Sequence, residues 1–95
     1  MSQPTIQEIR KKFRPILRKA HVKRSAIFGS FARGEARASS DVDILIDPPA
    51  RMTLIGLVGL EQDLSEAIGR KVDVVTFRSL HPLFKKRVER DMVTL

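Results

Sequence analysis

The sequence predicts a small α/β (α+β) fold, with a mixed sheet of three to four strands and helices mainly on one face. Two observations support this class. Short β-branched runs of five or six residues alternate with longer segments of helical periodicity, and Gly, Pro and polar residues separate the two kinds of segment. The length is that of one domain, so we expect residues 1–95 to form a single domain with a modest core.

The first predicted helix covers Thr5 to Ala20. Its apolar residues recur at helical spacing on one face: Ile6, Ile9, Phe13, Ile16, Leu17 and Ala20. Thr5 and Glu8 have the spacing of a capping box. Pro15 lies inside the segment, and an interior proline costs about 3 kcal/mol, so we expect the helix to kink or divide just before it.

Three apolar runs predict strands, at Arg24–Phe28, Asp41–Ile46 and Val72–Thr76. Between the first two, the sequence predicts a short helical turn at Phe31–Gly34 and a polar loop at Glu35–Ser40. Alternation along a strand places Asp41 and Asp43 opposite the core-facing residues of their run, and Asp73 with Val75 on the face opposite Val72 and Val74.

Two further helices are expected. One would bury an apolar face made of Leu54, Leu57, Val58, Leu64 and Ile68, and would end at Gly69 as its C′ residue. The other would begin at Pro82, a residue suited to the first helical position. Its buried side would consist of Leu83, Phe84 and Val88. The last five residues, 91–95, form either a short edge strand or a frayed tail.

Composition narrows the class of protein. The chain has no cysteine, which excludes disulfides and thiolate metal sites. It has no apolar run of the roughly 18–20 residues that a membrane helix requires, and its first residues lack the apolar core of a signal peptide. We therefore expect a cytoplasmic protein without a membrane partner.

The net charge of +7 is unevenly distributed. Eight of the 18 basic residues lie between Arg10 and Arg24, and a second group lies at Lys85–Arg90. Such patches attract nucleic acid or an acidic protein, or are simply solvated helix faces. Readers of single-stranded nucleic acid add aromatic stacking platforms, whereas this chain has no Tyr or Trp, so a tight nucleic-acid ligand is not indicated.

Two acidic residues open the second predicted strand. Asp41 and Asp43 are two positions apart and therefore share a face. Adjacent carboxylates repel each other unless a cation lies between them. Because all the ligands are oxygens, the expected ion is Mg²⁺, with Mn²⁺ as the alternative. Asp73 on the third strand would reach the same site if the two strands are neighbours; otherwise it is a solvent-facing residue beside Lys71.

A Gly-Ser pair closes the first predicted strand, and ten residues separate Ser30 from Asp41. Gly29 lets the backbone approach a ligand closely. Ser30 supplies a hydroxyl at the expected start of a short helix, whose free N–H groups would bind an anion. The pair is also common in turns without any ligand. Placed before the acids, it predicts a triphosphate site beside a metal site.

These residues resemble a known family. The run from Ile27 to Asp43 reads Ile-Phe-Gly-Ser-Phe-Ala-Arg-Gly, a spacer, then Ser-Asp-Val-Asp. This run is similar to the minimal nucleotidyltransferase (MNT) domains of the polymerase-β-like superfamily, which include the MntA-type antitoxins of HEPN/MNT systems. The resemblance covers nearly the whole chain. It implies the nucleotidyltransferase fold, two-metal chemistry, a third carboxylate that Asp73 matches, and a role as antitoxin to a HEPN-domain toxin.

The reaction expected from this resemblance is AMP transfer from ATP, a nucleotide triphosphate substrate, to a protein hydroxyl. Asp41, Asp43 and Asp73 would hold two Mg²⁺ ions, while Gly29 and Ser30 would bind the phosphates. A further candidate is Arg33, which either offsets charge on the leaving pyrophosphate or forms an ion pair, for example with Glu35. The resemblance implies a tyrosine acceptor on the toxin, and this chain contains no Tyr of its own.

Two other functions remain open at this stage. The chain could be an antitoxin that masks its partner by binding alone, with the acids as a remnant. It could also be a small-molecule nucleotidyltransferase of the drug-modifying type. The intact set of acids favours an enzyme over the first, and the lack of an acceptor domain argues against the second.

Overall fold

The computed structural model describes residues 3–95. Its elements run, in chain order, α1 (Ile6–Lys19), β1 (Arg24–Phe28), β2 (Val42–Asp47), α2 (Leu54–Ile68), β3 (Val72–Thr76), α3 (Pro82–Asp91) and β4 (Val93–Thr94). The strands form one mixed sheet in the order β3-β2-β1-β4, in which β1 is antiparallel to β2 and β4, and β2 is parallel to β3. The predicted class is confirmed, with four strands.

The first helix begins where the sequence predicts, because the Thr5 side chain accepts a hydrogen bond from the Glu8 N–H at 3.1 Å. It runs unbroken past Pro15, so the expectation that it would divide is wrong. Proline removes the N–H that would bond the carbonyl of Lys11, four residues earlier. Lys11 is exposed on the outer face of α1, so water can satisfy that carbonyl.

The core lies between one face of the sheet and the pair α1 and α2. Its buried side chains come from both helices and from three strands: Ile9, Phe13, Leu17, Ile27, Val42, Ile44, Ile46, Leu60, Leu64 and Val72, with Phe31 from the loop after β1. The alternating residues of β2 behave as predicted, because Val42, Ile44 and Ile46 all point into this core. Burial of each such side chain contributes about 1.5–3 kcal/mol.

The second helix has the predicted end, since Gly69 takes a left-handed conformation with φ of 63°. Its predicted apolar face is partly wrong. Leu54 and Val58 are 77% and 48% exposed, whereas Leu60 is buried beside Leu64. At about 100° per residue, Leu54 and Val58 lie about 80° and 120° around the helix from Leu64, outside the stripe that faces the core.

The third helix starts as predicted. Pro82 occupies its first turn, and His81 caps it by accepting a hydrogen bond from the Leu83 N–H. Its predicted buried side is wrong, because Leu83 and Phe84 are 81% and 55% exposed and Val88 is only partly buried. The reason is the chain path. The parallel connections β2–α2–β3 and β3–α3–β4 run in opposite directions across the sheet. Because such crossovers are right-handed as a rule, we infer that α3 lies on the face away from α2, in agreement with its contributing no residue to the core cluster.

The C-terminal residues form an edge strand rather than a frayed tail. β4 pairs with β1 through Ala26–Thr94 and Ile27–Val93. The Arg10 guanidinium donates to the Thr94 carbonyl at 2.8 Å, which ties this edge to α1. No helix within residues 3–95 has the length and apolar character needed to cross a membrane.

The opposite edge of the sheet is fixed by α2. The Val72 N–H donates to Ser65 Oγ at 3.0 Å, and the Val74 N–H donates to Glu61 Oε2 at 2.9 Å. These side chains satisfy backbone donors that an edge strand would otherwise leave open. The strand that carries Asp73 is therefore held rigidly in register.

Candidate active site

Two carboxylates lie side by side on the face of the sheet that points away from the core, here called the acid face. Asp43 on β2 and Asp73 on β3 are register partners in the parallel pair. Their strand neighbours Ile44 and Val74 form the next register pair, on the core side. The sequence left open whether these strands are adjacent, and the structure brings the two acids together.

Asp41 lies at the same end of the sheet but outside the strand. We expected the strand to begin at Asp41, whereas β2 begins at Val42, whose N–H donates to the carbonyl of Lys71. Asp41 is therefore the last residue of the spacer that links Ser30 to β2. Its position depends on how this spacer is anchored as well as on the sheet.

Negative charge accumulates at Asp43. Burial raises the pKa of the Asp43 carboxyl above its ordinary value, and the charges of Asp73 and Asp41 raise it further. The Arg33 guanidinium lowers that pKa, as the weakest of the four influences. Two neighbouring acids thus act on Asp43 through space, as is expected at a cation site.

One cation of the chain already lies between two of the acids. The Lys71 ammonium is 4.0 Å from Asp41 Oδ2 and 3.8 Å from Asp73 Oδ1, and its side chain is exposed. The sequence suggested Lys71 as a neighbour of Asp73 alone. Its contact with Asp41 comes from the parallel pairing of β2 and β3, which local sequence does not reveal.

The acids suit a hard divalent ion by chemistry, since all their donors are carboxylate oxygens. In the conformation described for residues 3–95, however, no three acidic or histidine side chains converge closely enough to hold an ion. The ammonium of Lys71 lies between Asp41 and Asp73 in this conformation. A bound divalent ion would take over the charge balance that Lys71 now supplies.

Gly29 ends β1 in a left-handed conformation with φ of 74°. A Cβ built on this residue would overlap the carboxylate of Asp43. Glycine is therefore required here because Asp43 fills the space beside its Cα, in addition to the positive φ. The sequence assigned Gly29 to phosphate approach, and the structure adds this contact with the acid.

The segment after Ser30 is a series of hydrogen-bonded turns that include the predicted helical turn, but it does not form a regular helix. Arg33 N–H donates to the Gly29 carbonyl at 3.1 Å, and Glu35 N–H donates to the Ser30 carbonyl at 2.8 Å. Within residues 3–95, the N–H groups of Ser30 and Phe31 donate to no backbone carbonyl. The Ala32 N–H is likewise without a backbone partner among these residues, so three donors are free at this turn without any helix dipole.

Arg33 forms an ion pair with Glu35, with Nε and Oε2 3.2 Å apart and both side chains largely exposed. This is one of the two interpretations that the sequence left open. The guanidinium is also close enough to lower the pKa of Asp43. A role for Arg33 at a phosphate stays a prediction.

The sequence analysis missed Arg70. One guanidinium nitrogen of Arg70 donates to two carbonyls of the spacer, Arg37 at 3.1 Å and Ser40 at 2.8 Å. The same guanidinium lies over the Phe31 ring, 5.4 Å from its centroid. These partners are at least 30 residues away in sequence, so no local pattern identifies them.

Comparison with known proteins agrees with this geometry. The nucleotidyltransferase domain family matches residues 7–95. A protein of Methanocaldococcus jannaschii whose name places it among the protein adenylyltransferases is 47% identical over 88 residues, which is 93% of this chain and 95% of that protein. Protein adenylyltransferase MntA of Thermococcus cleftensis is 40% identical over 72 residues, covering 76% of this chain and 73% of the relative.

Solved structures share the fold. A minimal nucleotidyltransferase superposes with a TM-score of 0.83 at 32% identity, and each chain is covered completely. A toxin–antitoxin crystal structure with AMP-PNP contains a chain that superposes with a TM-score of 0.77 at 26% identity, covering 88% of this chain and 69% of that one.

Proposed function

The chain belongs to the nucleotidyltransferase domain family and is a nucleotidyltransferase, and from this premise we propose that it transfers AMP from ATP to a hydroxyl group of a partner protein. The observation that carries the proposal is the register pairing of Asp43 with Asp73, beside the Gly29–Ser30 turn. This arrangement brings an acid pair and free anion-binding N–H groups to one end of the sheet.

The nucleotide would bind with its phosphates at the turn after β1. The free N–H groups of Ser30 and Phe31 and the Ser30 hydroxyl are donors suited to phosphate oxygens. Phe28 is the register partner of Asp43 at the end of the β1–β2 ladder, and Gly29 follows it against the Asp43 carboxylate, which puts these donors beside the acids. The α-phosphorus would then lie between the turn and the acid pair.

Asp41, Asp43 and Asp73 would hold the metal ions, expected to be two Mg²⁺ with Mn²⁺ as an alternative. Such ions supply charge neutralisation for the phosphates and lower the pKa of the attacking hydroxyl. The chain's own contribution is to hold Asp43 and Asp73 in a fixed register, with Lys71 balancing the charge of Asp41 and Asp73 before substrate arrives.

The transfer itself forms one bond and breaks one. The acceptor oxygen attacks the α-phosphorus of ATP, the bond from that phosphorus to the β-phosphate oxygen breaks, and pyrophosphate leaves as the hydroxyl gives up its proton. The sheet order places Asp73 on β3, on the other side of Asp43 from the Gly29–Ser30 turn. The acceptor therefore enters from the β3 side, opposite the phosphates.

We propose that the acceptor is a tyrosine of a HEPN-type toxin and that the chain acts as its antitoxin. Two similarities support this. A relative is named protein adenylyltransferase MntA, and a structure that shares the fold at 26% identity is a toxin–antitoxin complex with AMP-PNP. The chain has no Tyr, so a tyrosine acceptor must belong to another protein.

The acceptor protein would contact α3 rather than α1. The outer face of α1 carries a basic stripe (Arg10, Lys11, Arg14, Arg18 and Lys19), but α1 packs on the core side of the sheet, away from the acids. On the other face, α3 exposes Leu83 and Phe84 next to the cationic run Lys85–Arg87. Exposed apolar residues with a charged rim are typical of a protein contact.

The proposal is tested by incubating the chain with labelled ATP, Mg²⁺ and a co-purified partner, followed by mass spectrometry of both proteins. We expect AMP on a tyrosine of the partner, and none when the metal is chelated. Asp47→Asn is the matched control for Asp43→Asn, because Asp47 is on the same face of β2 at its far end. Asp43→Asn should abolish transfer, whereas Asp47→Asn should retain it.

Other outcomes separate the alternatives. Tight binding of the partner without any AMP adduct would support an antitoxin that acts by contact alone. An adduct found on free small molecules, with no modified protein, would support a drug-modifying enzyme. Equal loss of transfer in Asp47→Asn and Asp43→Asn would contradict the assignment of the acid pair.

A further inference from the structure

The spacer between the turn and the acids is a separate unit with its own internal hydrogen bonds. The Ser40 N–H donates to the Arg37 carbonyl at 3.0 Å, and the Arg37 N–H donates to Ser40 Oγ at 2.7 Å. Within residues 3–95, Arg70 is the side chain from outside this turn that bonds to it. The turn is therefore formed locally but docked by one arginine.

The segment around Arg70 does not need its side chain to hold its shape. The Arg70 N–H donates to the Ser65 carbonyl at 3.2 Å, as part of the cap at the end of α2. The Val72 N–H bonds Ser65 Oγ, and the Val42 N–H bonds the Lys71 carbonyl. Contacts that do not involve the guanidinium thus fix the α2–β3 connection and the start of β2, whereas the guanidinium bonds to the spacer.

We propose that Arg70 is a positioning residue that holds Asp41 at the acid site. The inference rests on the proposed function. Asp41 directly follows Ser40, whose carbonyl accepts the shorter of the two Arg70 bonds. Because Asp41 lies just before β2, outside the strand, the spacer's anchor acts together with the sheet to set where its carboxylate lies relative to Asp43 and Asp73.

The residue type fits this role. A planar guanidinium donates to two carbonyls in fixed directions and stacks on an aromatic ring, which a lysine ammonium does not do. The stacking partner Phe31 is buried in the turn that follows Ser30. One side chain therefore joins the start and the end of the connection from β1 to β2, the two places that carry the phosphate donors and the first acid.

The activity test compares Arg70→Met, Arg70→Lys and the control Arg51→Met in the full chain with its partner. Misplacing a reacting group by about 1 Å costs about 10²-fold, so we expect Arg70→Met to lower kcat by about 10- to 100-fold with the KM for ATP nearly unchanged. Arg70→Lys should lie between. Arg51 is exposed and forms no ion pair within residues 3–95, so Arg51→Met should match wild type.

A second measurement does not depend on transfer. Hydrogen exchange of the free chain should become faster at residues 37–41 in Arg70→Met, with β2 and β3 unchanged. Weaker Mn²⁺ binding, measured by calorimetry, should accompany it. Faster exchange throughout β3 would show a general structural role and overturn the proposal, as would wild-type kcat or unchanged exchange at 37–41. If wild type itself transfers no AMP, the proposed function fails while the exchange and Mn²⁺ results still decide the role of Arg70.

Discussion

The two faces of the sheet differ in what they contribute to the molecule. On the core side, the alternating residues Val42, Ile44 and Ile46 of β2 are fully buried under α1 and α2. On the acid face, Asp43 and Asp73 lie side by side with like charge, and burial and repulsion raise the pKa of Asp43. The core side of the strands stabilises the fold, whereas on the acid face the carboxylates oppose it beside the buried side chains of Ala26 and Leu45.

This division explains how a chain of 95 residues can hold a charged site. Hydrophobic burial on one side contributes about 1.5–3 kcal/mol for each core side chain, which is enough to tolerate unfavourable charge on the other. Since neighbouring residues of one strand belong to different faces, substitutions one position apart should have opposite kinds of effect.

The largest effect is expected at Asp43. Asp43→Asn removes an acid paired with Asp73 and should lower AMP transfer by at least about 10³-fold, the order found when an essential catalytic group is removed. The melting temperature should stay the same or rise, because like-charge repulsion is relieved. Transfer assays and thermal unfolding of the same preparation check both. Wild-type activity in this variant would refute its catalytic role.

The neighbouring residue should show the reverse. Ile44 is fully buried in the core, so Ile44→Ala should lower the free energy of unfolding by about 2–5 kcal/mol. Activity per folded molecule should remain close to wild type at a temperature where the variant is folded. Denaturant unfolding monitored by circular dichroism gives the stability. A large loss of specific activity in the folded variant would show that the two faces are not independent.

Gly29 and Gly34 provide a matched pair at positive φ, at 74° and 72°. A Cβ at Gly29 would overlap the Asp43 carboxylate, whereas one at Gly34 meets no atom within 4 Å. Both alanine variants should lose about 1 kcal/mol of stability from backbone strain. Gly29→Ala alone should also lose about 10²-fold in transfer, because the acid is displaced. Equal activity of the two variants would exclude this steric role.

Sequence reasoning succeeded where the determinants are local. The bounds of β1, the Gly69 cap and the start of α3 at Pro82 follow from capping, turn and periodicity rules, and the structure confirms them. It failed where the answer depends on chain topology. The exposure of Phe84 follows from α3 crossing the face opposite the main core, which no periodicity reveals.

The residues of the candidate site show the same difference between local and topological determinants. Asp41, Asp43 and the Gly29–Ser30 pair lie within one continuous motif, so their spacing alone pointed to them. Arg70 and the position of Lys71 between two acids depend on the parallel pairing of β2 with β3, across about 30 residues of sequence. Side chains that assist a motif from a distant strand have no signal of their own in a single sequence.

Ser30 should have a moderate effect. Its hydroxyl is one donor among free N–H groups at the same turn, and a hydrogen bond to a charged group contributes about 1.5–3 kcal/mol. Ser30→Ala should therefore lower transfer about ten- to a hundred-fold while Mn²⁺ binding is retained. Steady-state kinetics and calorimetry measure the two quantities. A loss as complete as that of Asp43→Asn would assign the serine a larger role than phosphate contact.

The smallest effect concerns the pH dependence of stability without metal. Burial and the charges of Asp73 and Asp41 raise the pKa of Asp43, so the folded chain holds that proton more tightly than the unfolded chain does. The resulting stabilisation is fully present below the ordinary aspartate pKa of about 3.9 and is lost as pH rises through the raised value.

Asp43→Asn lacks this loss, so its melting temperature relative to wild type should increase from acid to neutral pH in EDTA. Asp47→Asn, at the exposed far end of the same strand, should show no such increase. A parallel pH response of Asp43→Asn and wild type would mean that the acid face does not oppose folding, and the contrast between the two faces would fail at its main point.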